Sequence, residues 1–393
     1  MRVPVKGCKG FARWGLTLWK RFQRRPVRSL HQGESAYSVP MARAPVAPPA
    51  PAPARRPRIE EVAAAAGVST ATVSRVLNGQ TVRAPARERV EAAVAALGYV
   101  PHAGARALTL HRTGTVGAIV PTLDNAIFAK AIDALQRRLA QDGLQLLIAT
   151  NDYDPGTEAE QAATLVGRGV DALVLCGHGQ RPELLDFLRQ RALPCVHVMT
   201  LGHAATGLSV GFDNRRAMAI AARHLVDLGH RRIAMLAGLT RDNDRARERV
   251  EGAREALRAA GVPLPAARLV ERRYDLADAR DGLRQLLAAS PAPTAVLCGN
   301  DVLAFGALLE ARHLGVAVPA QLSVIGFDDL ELARHIDPAL TTIRVPAEAM
   351  WTLAAERLIG TLRGEAVPRR TELEVELVVR ASTGRAPRRR TAA

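Results

Sequence analysis

Residues 62–78 read VAAAAGVSTATVSRVLN, and how they fold decides the architecture of the rest. Two short apolar-patterned segments flank Gly67, where the missing side chain lets the backbone turn sharply. Ser69 stands where a second helix needs an acceptor for its first free amides. At about 100° per residue, Thr72, Val73, Val76 and Leu77 fall on one side of that helix, which can pack on Ala63 and Ala66. Thr70, Ala71, Ser74, Arg75 and Asn78 fall on the other side. This second face is polar and short-chained with one arginine, as a helix entering a DNA major groove requires. On this stretch alone, an ordinary surface helix in an alanine-rich bundle is the alternative.

The placement of charge supports the DNA reading. The chain has 393 residues, enough for two or three domains, and a formal charge of +16. Residues 1–58 hold 13 Lys/Arg against one acid, Glu34, and residues 59–113 hold six Arg against four Glu. Four more Arg lie from Arg385 onward, which leaves residues 114–384 slightly acidic. Positive charge at the ends and beside the helix pair suits a footprint on a polyanion better than uniform basicity would. No uninterrupted apolar run is long enough to span a bilayer. Cys8, Cys176, Cys195 and Cys298 show no CxxC or Cys/His metal spacing, so neither disulfide nor metal is assigned, and a cytoplasmic location fits.

Residues 1–56 form a basic extension with a Pro/Ala tract at 42–57 that cannot build a core. It reads as disordered, with an amphipathic helix carrying Phe11, Trp14, Leu18, Trp19 and Phe22 as the alternative, and Met41 is an alternative start. Residues 86–97 give a third helix with Val90, Val94 and Leu97 inward, ended by Gly98. A marginally helical stretch follows at 102–110. From Thr115 apolar strand-like runs (116–120, 144–149, 172–176, 195–199, 233–237, 295–298, 323–327) alternate with helical stretches (128–141, 158–168, 245–260, 302–314). Near-continuous apolar strands separated by helices imply parallel sheets covered on both faces, here in two similar α/β lobes. Ligands in such folds bind outside the carboxyl ends of strands. Those ends are 123–128, 213–214, 243–249, 300–301 and 328–329.

Seven motifs carry a resemblance: GVSTATVSRVLN at 67–78, LGYVPHAGAR at 97–106, LGHRRIAML at 228–236, RVEG at 249–252, CGND at 298–301, VPAQLSVIGFDD at 318–329 and LTTIR at 340–344. In this order and spacing the chain resembles the lactose/purine repressor (LacI/GalR) family over residues 57–386. The resemblance implies a small all-α helix-turn-helix headpiece (57–100), a hinge helix and linker (101–113), and a two-lobed α/β effector domain of the periplasmic-binding-protein type (114–384), followed by a basic tail (385–393). It implies a dimeric, ligand-responsive DNA-binding regulator of a pseudo-palindromic operator, with repression the expected direction. The tail has no leucine heptads, so a dimer and not a tetramer is expected. The partners are double-stranded DNA and a small effector, a sugar, sugar acid or other small metabolite. No cofactor and no membrane partner are expected.

The resemblance also assigns residues. Thr70, Ala71 and Arg75 take the base-reading positions, while Ser69, Thr72, Ser74 and Asn78 take phosphate-contacting or capping ones. Tyr99, Arg106 and Leu108 match DNA-side positions at the end of the headpiece and in the hinge, with Leu108 as the minor-groove wedge. Phe128 and Tyr274 match aromatic walls of the cleft. Asp213, Arg249, Asn300 and Asp328 match its polar contacts, and Asn243 lies on the corresponding loop. The chain departs from the pattern at Arg58, Arg83 and Ala86, where caps are weak, at His102 and Gly104 in the hinge, and at Met199, where several members carry Asp. A transport solute-binding protein and an enzyme are the rivals, but the chain shows a headpiece, no G-x-S-x-G elbow and no P-loop.

Overall fold

The computed structural model describes residues 57–100, 112–202 and 207–387. The expected extension at 1–56 and most of the expected hinge, with Arg106 and Leu108, lie outside the described residues.

The headpiece consists of α1 (Ile59–Ala66), α2 (Thr70–Leu77) and α3 (Ala84–Leu97). Gly67 ends α1 at φ 61°, a conformation that costs a side-chain-bearing residue more than glycine. The expected start of α3 at Ala86 moves two residues earlier, with Pro85 in its first turn, where a missing amide costs no helical bond. Neither Arg58 nor Arg83 caps its helix through a side chain. Val62, Ala63, Ala66, Val73, Val76, Val90 and Ala93 close a small core of their own.

The first sheet contains β1 (Thr115–Val120), β2 (Gln145–Thr150), β3 (Ala172–Cys176), β4 (Cys195–Val198), β5 (Leu208–Gly211) and β11 (Arg370–Glu372). Their order is β11-β5-β4-β3-β1-β2, and every pairing is parallel. The second sheet contains β6 (Ile233–Gly238), β7 (Leu269–Arg272), β8 (Ala295–Cys298), β9 (Ser323–Asp328), β10 (Thr341–Arg344) and β12 (Glu376–Val378). It repeats the arrangement as β12-β10-β9-β8-β6-β7, with one departure from the expected parallel pattern: β12 runs antiparallel to β10. The covering helices are α4 (Ala126–Gln141), α5 (Pro155–Gly167), α6 (Pro182–Gln190), α7 (Asn214–Asp227), α8 (Asp244–Ala259), α9 (Leu276–Leu287), α10 (Asp301–His313) and α11 (Ala347–Leu362).

The strand orders show that neither lobe is one continuous stretch. The chain passes from the first lobe to the second after β5, returns for α11 and β11, and leaves again for β12. Three connections therefore join the lobes, and all lie beside the carboxyl ends of the strands. At the opposite end, the Asp171 carboxylate accepts the Thr113 and Gly114 amides at 3.0 and 2.8 Å and fixes the chain's entry into the first sheet. Buried His230 accounts for the LGH motif: its ring lies 2.9 Å from the Thr294 hydroxyl and 3.0 Å from the Gly384 carbonyl, which seats the C-terminal segment.

Candidate functional site

Two sites were expected, on α2 and between the lobes. On α2, Val73 and Val76 are buried while Ser69, Thr70, Ala71 and Arg75 are exposed, as the helical period requires. The Ser69 hydroxyl accepts the Thr72 amide at 3.2 Å and lies 3.0 Å from the Thr72 hydroxyl, so both residues are committed to the cap. Asn78 donates to the Ser74 hydroxyl at 3.4 Å. Arg75 projects from the exposed face with no ion pair among the described residues. Arg89 binds the Ala66 carbonyl at 3.0 Å and tethers α3 to the end of α1. Tyr99 is half-buried against the headpiece core.

Between the lobes, residues at the strand ends converge on Arg249, which is 5 % exposed. Its Nε donates to Asn214 Oδ1 at 2.9 Å, its Nη1 to the Gly299 carbonyl at 2.7 Å, and its guanidinium lies 3.7 Å over the Phe327 ring. Asn300 caps α10 through the Leu303 amide, and Asn243 caps α8 through the Ala246 amide. Asp328 ends β9 at φ 122°, a strained conformation for a residue with a side chain. Burial pushes its carboxyl up to about 8, with Arg249 pulling the other way. Gly252 of the RVEG motif lets α8 approach α7: a Cβ there would sit 2.2 Å from the Arg215 carbonyl oxygen.

Two expected contacts are placed differently. Asp213 is exposed and spends its carboxylate on the Arg216 amide as the cap of α7. The buried residue is its neighbour Asn214, which donates to the Met199 carbonyl at 3.0 Å and accepts from Arg249. Phe128, 4 % exposed, is packed into the apolar core at the start of α4. Tyr274 does face the first lobe, with its ring centroid 5.6 Å from that of Tyr153.

Residues that the sequence did not single out join the lobes directly. Arg245 Nη1 in the second lobe donates to the Cys176 carbonyl in the first at 2.9 Å, and the His178 amide donates to the Asp244 carboxylate. Gly177 makes this clasp possible, since a Cβ there would lie 2.0 Å from Arg245 Nη1. Asp301, adjacent to Asn300, receives the Thr342 hydroxyl at 2.6 Å and the Leu330 amide at 2.7 Å, and burial pushes it up to about 6. Asp329 is held by Arg344 and Arg380 at 2.7 and 2.6 Å. The second aspartate of GFDD is thus committed to two arginines, while the first is buried near Arg249.

Residues 58–102 match the model of bacterial regulatory proteins, lacI family, and residues 222–383 match a periplasmic binding protein-like domain. The HTH-type transcriptional regulator GntR of Pseudomonas aeruginosa is 36% identical over 332 residues, covering 84% of this chain and 96% of that protein. This chain belongs to the LacI family. CelR of Thermobifida fusca, another HTH-type transcriptional regulator, is 35% identical over 338 residues, covering 84% of this chain and 98% of that protein. Among solved structures, the lac repressor dimer bound to operator and an anti-inducer superposes with TM-score 0.75 at 28% identity, over 84% of this chain and all of that one. A CelR–cellobiose complex superposes with TM-score 0.63 at 32% identity, over 83% of this chain and all of that one. The LacI-family chain is a DNA-binding transcriptional regulator with an effector domain. Its relatives are regulators and not enzymes, and among the described residues no helix is long and apolar enough to cross a membrane.

Proposed function

We propose that this regulator represses transcription as a homodimer on a pseudo-palindromic operator, and that a sugar-like or sugar-acid effector held between the lobes sets its grip. The observation that carries this reading is the buried Arg249, held by the Asn214 side chain and the Gly299 carbonyl, together with the direct lobe-to-lobe bonds of Arg245 and Asp244. An effector entering the cleft competes with those bonds, so its binding energy couples to lobe arrangement. Ser69, Thr70, Ala71, Thr72, Ser74, Arg75, Asn78, Tyr99, Arg106 and Leu108 serve the DNA side. Arg249, Asn243, Asn300, Asp328, Tyr274 and Asn214 serve the effector side. Leu147 and Ile148, exposed on the edge strand β2, supply an apolar edge that a second copy would cover. The complex of a relative with cellobiose supports a carbohydrate-like effector. The reading is tested by gel shift on DNA from the gene's own upstream region with sugars, sugar acids and nucleobases added. Retardation relieved by one compound supports repression with induction; retardation indifferent to all of them contradicts the effector role.

A further inference from the structure

Beside the Arg249 cluster lies a second polar cavity, of about 20 Å³, lined by Asn151, Tyr153, Glu158, Gln180, Asp244 and Arg245. Its walls come from both lobes, and its polar side chains are almost entirely buried: Asn151 is 7 % exposed, Glu158 3 %, Gln180 8 % and Arg245 7 %. Most of their hydrogen-bonding capacity is used. Gln180 Nε2 donates to Glu158 Oε1 at 3.2 Å, Asn151 Oδ1 accepts the Tyr153 amide at 3.1 Å, and Arg245 Nη1 binds both Cys176 O and Asp244 Oδ1. One atom is left over. Gln180 Oε1 is buried with no hydrogen-bond partner. An orphaned buried acceptor is costly, so a donor that enters the cavity is favoured over a group that cannot donate.

We propose that this cavity is a specificity subsite of the effector cleft, and that it takes a neutral hydroxyl at one end of the effector. This rests on the effector reading above and names the chemistry of its far wall. Size decides the first part: about 20 Å³ holds one water-sized group and no carboxylate or phosphate. Charge decides the second. Asp244 and Arg245 are paired at 3.1 Å and offset each other, so the wall offers no net charge to an ionic group, while a neutral hydroxyl can donate to Gln180 Oε1. Burial pushes the Glu158 carboxyl up to about 7, which lowers the cost of keeping this wall uncharged.

The test uses the full chain, with binding measured by calorimetry and thermal shift for D-glucose, D-gluconate, cellobiose, hypoxanthine and succinate. At least one of the three hydroxyl-bearing compounds is expected to bind, and Gln180→Leu is expected to weaken it at least tenfold. A crystal structure of the wild-type complex provides the readout if Gln180→Leu fails to fold: a ligand hydroxyl within hydrogen-bond distance of Gln180 Oε1 is expected. Unchanged affinity in a folded Gln180→Leu, or a bound compound that leaves Gln180 Oε1 uncontacted, overturns the proposal. Binding of hypoxanthine or succinate alone also overturns it while leaving the effector-responsive reading intact. Binding by none of the five overturns the subsite, and the effector reading then stands or falls by the gel shift described above.

Discussion

At the scale of single residues, the two sites place opposite demands on arginine. Arg75 is exposed and unpaired among the described residues, so its guanidinium fork is free for guanine O6 and N7. Arg75→Ala is expected to cost about 1–3 kcal/mol of operator affinity and to relax discrimination at one base pair, read by selection from a randomised operator library. Arg249 is buried and committed to two acceptors and a ring face. Arg249→Met leaves Asn214 Oδ1 and Gly299 O without their donor, each at about 1–3 kcal/mol, so a lower melting temperature and loss of effector response on retained DNA are expected. Three buried carboxyls, Asp301, Glu158 and Asp328, are raised to about 6, 7 and 8. The folded protein holds these protons more tightly than the unfolded chain. The stability they contribute is complete near pH 4 and is lost as pH climbs through about 6 to 8. The melting temperature is therefore expected to fall from pH 6 to pH 8, and Asp328→Asn to flatten that fall; a rise over the same interval counts against it.

At the scale of elements, the headpiece was readable because its signals are local. Gly67, Ser69 and the Val73/Val76 stripe lie within a few residues of one another, and each is explained by backbone geometry alone. Ser69→Ala is expected to destabilise the headpiece by about 1 kcal/mol, seen as faster amide exchange in α2 with little change in the lobes. The long central strands were readable for the same reason, being apolar on both faces. The strands β5 (LSVG), β7 (LVER), β10 (TTIR), β11 (RTE) and β12 (ELV) were not picked out, since none holds more than two apolar residues in a row, unlike the equally short β8 (AVLC). The cleft was legible only in part. Arg249, Asn300 and Asp328 sit in quoted motifs and Asn243 on the loop before α8, whereas Glu158 and Gln180 line the second cavity from the first turn of α5 and from a loop. Nothing in their local sequence marks them. Asp213 is used as the N-cap of α7, while Asn214, the first residue of that helix, is the buried partner of Arg249.

At the scale of the whole molecule, the two lobes are joined by three chain crossings and a small set of lobe-to-lobe bonds. Gly177 is the tightest point of that junction. Gly177→Ala places a methyl group on Arg245 and Asp244, so opened lobes and a larger radius of gyration by solution scattering are expected; an unchanged profile would show that the clasp does not hold them. On the proposed homodimer reading, Ile148→Lys on the exposed β2 edge is expected to yield a monomer by sedimentation with weakened operator binding. The central claim is that a metabolite in the cleft alters how tightly the paired headpieces grip their own sequence. It is tested most directly by fluorescence anisotropy of the full chain on its selected operator and on a scrambled duplex, at one physiological salt concentration, with and without the compound that binds the cleft. The account predicts operator binding at least about 10³-fold tighter than scrambled, and a change of roughly 5–150-fold in operator affinity on adding the compound. Equal binding to the two duplexes, or an operator affinity that the compound leaves untouched, would contradict it.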